Sequence, residues 1–135
     1  MNKNRSMPPG TIIPEIPYPD VAEAAEWLCR VLQFRRRLRI GNHRFQLSFG
    51  AGSVVATSRG DRAPSRCSIM VRVEDVDAHW EHARSQGARV LNPPTSYPYG
   101  ERQYTVEDLA GHAWTFSQAI KDVDPADWGG VLFTE

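Results

Sequence analysis

Apolar residues recur at helical spacing early in the chain. Val21, Ala24, Ala25, Leu28, Val31 and Leu32 form one stripe, with Glu23, Glu26 and Arg30 towards the other side. Asp20, just before the run, is a good N-cap, so VAEAAEWLCRVLQ reads as a helix. The flanking segments alternate instead. TIIPEI (11–16), FRRRLRI (34–40), HRFQLSF (43–49) and SVVATS (53–58) read as strands, joined by Gly41-Asn42 and Gly50-Ala51-Gly52, which suit hairpins. The order is β-α-β-β-β.

The same order then recurs. After the polar linker RGDRAPSR (59–66) comes the strand CSIMVRV (67–73). Asp75 caps a second helix, VDAHWEHARSQ, which Gly87 ends. ARVL (88–91) is a short strand, and the loop NPPTSYPYG leads to the strand ERQYTVE, the turn DLAG and the strand HAWTFSQ. Asp20-Val21 and Asp75-Val76 stand 55 positions apart, which marks an internal duplication. The expected fold is α+β in one domain, with two βαβββ modules at about 11–58 and 67–118 and a tail at 119–135. Its antiparallel-rich sheets are expected to form one curved mixed sheet, a cup with the helices outside. Period-two alternation then turns Ile69, Val71, Val73, Trp114 and Phe116 towards the helix. Ser68, Met70, Arg72, Ala113, Thr115 and Ser117 turn into the cup.

Composition narrows the function classes. The 135 residues are 41% hydrophobic and 24% charged, enough for a globular core. Sixteen basic residues balance sixteen acidic ones, so no overall field favours nucleic acid or an anionic membrane. No apolar run is long enough to span a bilayer and no signal-peptide pattern is present, so a cytoplasmic location is expected. MNKNRSMPPG reads as a floppy leader, and Cys29 and Cys67, without CxxC spacing, as packing residues.

Local chemistry is sparse. His112 follows a turn glycine and reads as a turn side chain bonded locally. His79 and His82, three apart on the second helix, read as solvated or capping groups, and His43 as a strand-opening residue. Arg35, Arg37 and Arg39 share one strand face and read as a charged, protective sheet edge, with Arg36 on the inward side. The aromatics say more. Tyr97 and Tyr99 in a proline-rich loop, with Arg72, Arg102 and Tyr104 nearby on strands, are what a site for a flat organic molecule requires. Phe45 and Trp114 read as core. Trp128 anchors a tail expected to dock on the body or on a partner subunit.

The phrases YPDVAEAAEWLCRVLQF, VRVEDVDAHWEHARSQGARV and YGERQYTVEDLAGHAWTFSQ resemble the vicinal oxygen chelate superfamily. That group includes glyoxalase I, extradiol dioxygenases and bleomycin-resistance proteins. The resemblance covers about residues 11–118 and is nearest to the small bacterial glyoxalase/bleomycin-resistance-like proteins. Metal-dependent members carry His or Gln on the first strand of each module and Glu on the last. Carried over, those positions are Ile13, Ser68, Thr115 and a residue near Ala56, none of them His, Gln or Glu. No metal and no cofactor are therefore expected. Gln33 stands where the family has a helix-ending glycine, and Leu109 where it has a turn proline.

The resemblance implies metal-independent binding and sequestration of a small aromatic or peptide-like molecule, as in antibiotic resistance. The expected contacts are Ser68, Met70, Arg72, Tyr97, Tyr99, Arg102, Tyr104 and Thr115, in a homodimer without nucleic acid or membrane partners. The alternative is a glyoxalase-like lyase or isomerase, or a dioxygenase, with an atypical site using groups such as Glu15 and Arg72. An interaction module with a filled cup is the third reading.

Overall fold

The structure, a computed structural model, describes residues 3–133. It divides into two compact units. Among the described residues, one holds residues 3–67 together with Leu109–His112; the other holds Ser68–Asp108 and residues 113–133.

The first unit contains β1 (Glu15–Tyr18), α1 (Val21–Leu32), β2 (Arg35–Ile40), β3 (Arg44–Phe49) and β4 (Gly52–Ser58). The Asp20 side chain accepts the Glu23 N–H at 3.0 Å, closing the first turn of α1 as its sequence predicts. The whole apolar stripe of α1 is buried. It packs on the sheet face carrying Ile16, Ala56, Phe45, Leu47 and Val54, which are also buried. Removing so enclosed a side chain as Leu28 to alanine would cost about 2–5 kcal/mol. The strand order is β1-β4-β3-β2, with β1 parallel to β4 and the other pairs antiparallel.

The second unit repeats the plan with β5 (Ser68–Arg72), α2 (Val76–Ser85), β6 (Arg89–Ser96), β7 (Glu101–Glu107) and β8 (Ala113–Ala119). Asp75 caps α2 through the Ala78 N–H at 3.0 Å. The order is β5-β8-β7-β6, with β5 parallel to β8. Trp114, Phe116, Tyr104 and Val106 form its buried face with Val76, His79 and Ala83 of α2.

The expected single curved sheet is overturned. The strands form two separate four-stranded sheets, each open, so neither curls closed into a cup. Each sheet ends for a local reason. β2, an edge, carries Arg35, Arg36, Arg37 and Arg39, and β6, the matching edge, carries Pro93 and Pro94, which have no N–H to offer a further strand. As expected, each sheet is mixed and antiparallel-rich: its first strand runs parallel to its neighbour and its other two pairings are antiparallel.

Several boundaries and environments differ from expectation. β1 begins at Glu15, not Thr11: pairing to β4 starts where the Pro14 carbonyl accepts the Val55 N–H, and Ile12 is exposed. β6 runs on to Ser96 through its prolines, with register shifts after Val90 and after Asn92 that absorb them. In β2 the register shifts between Arg36 and Leu38, so Arg37 is the extra residue and turns to Gln46, while Arg36 is exposed. His79 is buried rather than solvated. It stacks on Phe116 with ring centroids 3.9 Å apart, and its Nδ1 lies 2.5 Å from the Tyr104 hydroxyl. His112 is buried too, with partners far away in sequence. Its Nδ1 accepts the Cys67 N–H at 3.0 Å, so its Nε2 carries the proton and donates to the Pro17 carbonyl at 2.9 Å.

Gln33 ends α1 at φ 67, the one non-glycine residue with positive φ among those described. A side chain in that region costs about 1 kcal/mol relative to glycine. Gln33→Gly is expected to stabilise the protein by about that amount, raising the melting temperature by roughly 3–5 °C in a calorimetric scan.

Candidate functional site

Each sheet has one face packed on its helix and one turned away. In the second unit the register fixes the outward face. Met70, Thr115, Thr105 and Asn92 form one row across it, and Arg72, Ser117, Gln103 and Thr95 the next. Met70 is 64% exposed. Most of these side chains are polar.

They are joined by hydrogen bonds with one direction. Glu101 Oε1 accepts from the Ser117 hydroxyl at 2.6 Å. Ser117 in turn accepts from Gln103 Nε2 at 3.0 Å, and Gln103 Oε1 accepts from the Tyr99 hydroxyl at 2.9 Å. The carboxylate sets this order. It can only accept, so each neighbour along the chain must donate towards it. Burial pushes the Tyr99 phenol up from its ordinary value, with Tyr97 and Glu101 adding to the effect, so it remains a donor. At the other end Arg72 Nη1 lies 3.8 Å from Glu101 Oε1 with its side chain largely exposed, so most of its donors face solvent.

Aromatic rings border this polar chain. Tyr97 and Tyr99 are nearly parallel, 3° apart with centroids 5.4 Å apart, and Trp128 leans on Tyr99 at 5.3 Å. The tail thus docks through Trp128. Asn92 Nδ2 donates to the Tyr97 hydroxyl at 3.1 Å, and Thr105 and Thr115 share a hydrogen bond of 2.9 Å. Gly100 holds the aromatic loop in place. Its φ is 87, its carbonyl accepts the Ile120 N–H at 2.8 Å, and a Cβ there would meet the Lys121 carbonyl oxygen.

The structure therefore brings Ser68, Met70, Arg72 and Thr115 onto one face, with Tyr97 and Tyr99 tied to it through Asn92 and Gln103. Arg102 and Tyr104 stand apart from them, on the helix side. Arg102 pairs with Asp77 of α2 through its Nε at 3.0 Å, and this bond raises its pKa. Tyr104 is fully buried between His79 and Phe116, and burial pushes its phenol up. The reason is the register: Tyr104 faces Phe116 across the ladder and cross-strand partners share a face. Glu101, Gln103 and Trp128, absent from the sequence candidates, complete the arrangement. The same pairing rule would have found the first two.

A family model for the Glyoxalase/Bleomycin resistance protein/Dioxygenase superfamily matches residues 12–116. The chain belongs to that superfamily. Among solved structures of the superfamily fold, TioX from Micromonospora sp. ML1 is 33% identical with a TM-score of 0.76, over 82% of this chain and 98% of that one. TnmS3, an antibiotic binding protein from Streptomyces sp. CB03234, is 22% identical with a TM-score of 0.69, over 79% of this chain and 93% of that one. An uncharacterized protein of Mycobacterium bovis is 32% identical over 75 residues. The match covers 47% of that relative's length, so the chain spans under half of it.

The positions where metal-dependent superfamily members carry ligands do not fit a metal here. Met70 pairs with Thr115 as Glu15 pairs with Val55, so the first-module counterpart of Thr115 is Val55, next to Ala56. Ile13, Val55 and Ala56 have no donor atom, and the Thr115 hydroxyl is bonded to Thr105. Neutral hydroxyls are poor ligands for a divalent ion. Among the described residues no cluster of three or more His, Cys, Asp or Glu could hold one.

Two substitutions separate fold from face. Gly100→Ala is expected to cost about 2 kcal/mol or more in urea unfolding, since both φ and space oppose it. Tyr104→Phe is expected to lower stability by about 1 kcal/mol, the worth of the lost hydroxyl bond to His79, with the far-UV spectrum unchanged.

Proposed function

We propose that the chain binds and sequesters a small aromatic or peptide-like molecule without a metal, as an antibiotic-resistance type of protein, with no bond broken. The carrying observation is the outward face of the second sheet. A rigid aromatic slab (Tyr97, Tyr99, Trp128) borders a polar row that ends in the exposed guanidinium of Arg72. The slab suits a planar ring by stacking, and Arg72 suits a carboxylate or another acceptor on the same molecule. Ser68, Met70 and Thr115 supply the floor. The description of TnmS3 as an antibiotic binding protein supports the same reading. The carboxylate of the polar row, Glu101, is already engaged by the buried Ser117 hydroxyl and by Arg72, which favours binding over a lyase, isomerase or dioxygenase role.

In this reading the protein works as a homodimer in the cytoplasm. Val131, Leu132 and Phe133 are exposed apolar residues that a second copy could cover. No helix among the described residues is long and apolar enough to cross a membrane.

A thermal-shift screen of aromatic and peptide natural products is expected to return a stabilising ligand, by about 2.7 kcal/mol at a hundredfold excess over Kd. Tyr99→Ala is expected to weaken it about tenfold by removing the stacking ring, and Arg72→Ala to act similarly on acidic ligands alone. Dialysis against EDTA should leave the affinity unchanged; loss of binding restored by Zn²⁺, Ni²⁺ or Fe²⁺ would overturn the metal-free reading.

A further inference from the structure

The outward face of the first sheet is covered by the chain's own N-terminal segment. The Met7 N–H donates to the Asn4 carbonyl at 3.3 Å, closing a turn, and the Ser6 N–H donates to Asn4 Oδ1 at 3.1 Å. The i to i+3 bond of such a turn uses the carbonyl of its first residue and leaves those of its two central residues for partners outside it. Here they are Arg5 and Ser6, and both are received. Arg37 Nη2 donates to the Arg5 carbonyl at 2.9 Å, and Gln46 Nε2 to the Ser6 carbonyl at 2.8 Å. Pro8, next in the chain, is buried, and the Ser53 hydroxyl donates to the Pro9 carbonyl at 3.1 Å. The segment read as a floppy leader is therefore seated from Asn4 to Pro9; residues 1 and 2 lie outside the described residues.

The receiving groups are organised beneath it. Gln46 and Ser53 are 4% and 7% exposed. Gln46 Oε1 accepts from Arg37 Nη1 at 2.5 Å, which aims Nε2 at the turn. Arg37 reaches both because it is the extra residue in β2. All three donors from the sheet meet main-chain carbonyls, and the one seat for a side chain is taken by a proline. The side chains of Arg5, Ser6 and Met7 are exposed, so recognition does not read them.

We infer that this face is a peptide-binding site for a compact turn followed by proline, and that residues 4–9 are its resident occupant. A free peptide or peptide natural product of that shape meets the same three donors and the same proline seat. The resident segment competes with it at high effective concentration, so binding in the unaltered chain is reduced by the fraction of molecules in which the segment has lifted. This site is on the first unit and does not rest on the function proposed for the second.

The test uses the full chain and a capped, fluorescently labelled peptide of residues 4–10. Pro8→Asp places a charge in the buried proline seat of the resident segment while leaving the sheet's donors intact. Trypsin cleavage after Arg5 reports release of the segment. The Pro8→Asp chain is expected to bind the probe saturably in fluorescence anisotropy, at least about tenfold more tightly than the unaltered chain. Adding Gln46→Leu is expected to weaken that binding about tenfold. In the unaltered chain, excess unlabelled peptide should speed cleavage after Arg5. A Pro8→Asp chain that is folded and readily cleaved yet binds no probe overturns the proposal, as does equal binding by both chains. Loss of the folded near-UV signal in Pro8→Asp overturns it as well, since the segment would then be an integral part of the fold.

Discussion

Everything in each unit follows from the parallel pairing of a module's first strand with its last. That pairing puts β4 and β8 in the interior of their sheets, flanked on both sides. Alternate residues of an interior strand then divide cleanly between the helix and the outward face. In β8, Trp114 and Phe116 take the core while Thr115 and Ser117 look outward; in β4, Val54 and Ala56 take the core while Ser53 and Val55 look outward. The helices add the other half of each core, and their aspartate caps fix where each begins.

The two modules share this plan but spend their outward faces differently. In the first, the donors Arg37, Gln46 and Ser53 are all engaged by main-chain carbonyls of the N-terminal segment. In the second, the polar groups are engaged mainly with one another, and Met70 and Arg72 lie exposed. The two units have the same strand order and helix placement, while their outward residues are unlike. Glu15 and Val55 in one module stand where Met70 and Thr115 stand in the other.

Features governed by neighbours in sequence were legible in the sequence. The helix caps, the apolar stripe of α1 and the alternation of β5 and β8 each depend on a few adjacent residues, while Gln33 was marked only by the glycine that the family carries at its position. Features set by distant partners were not. The extra residue in β2 depends on Arg37 finding Gln46 across the ladder, and the seating of Asn4–Pro9 depends on donors more than thirty positions away. His112 belongs to the same class, since its partners Cys67 and Pro17 are brought to it only by folding. His79 is different. It follows Val76 by three and precedes Ala83 by four, so it lies on the apolar stripe of α2, and its burial was present in the pattern. The candidate face was half legible for a similar reason. Placing Phe116 inward also places Tyr104 inward and Gln103 outward, a step that needs the register between β7 and β8.

The directed bonds that run from Tyr99 to Glu101 have a consequence for selectivity. Because the phenolic proton is already committed to Gln103, the Tyr99 oxygen would offer a molecule bound as proposed only its lone pairs. A ligand amine or hydroxyl beside it would gain a bond, whereas a ketone or ether oxygen of the same size would set lone pair against lone pair. Two molecules of equal shape would thus be told apart by which of them holds the hydrogen. The negative charge of Glu101, three hydrogen bonds away, would make that choice.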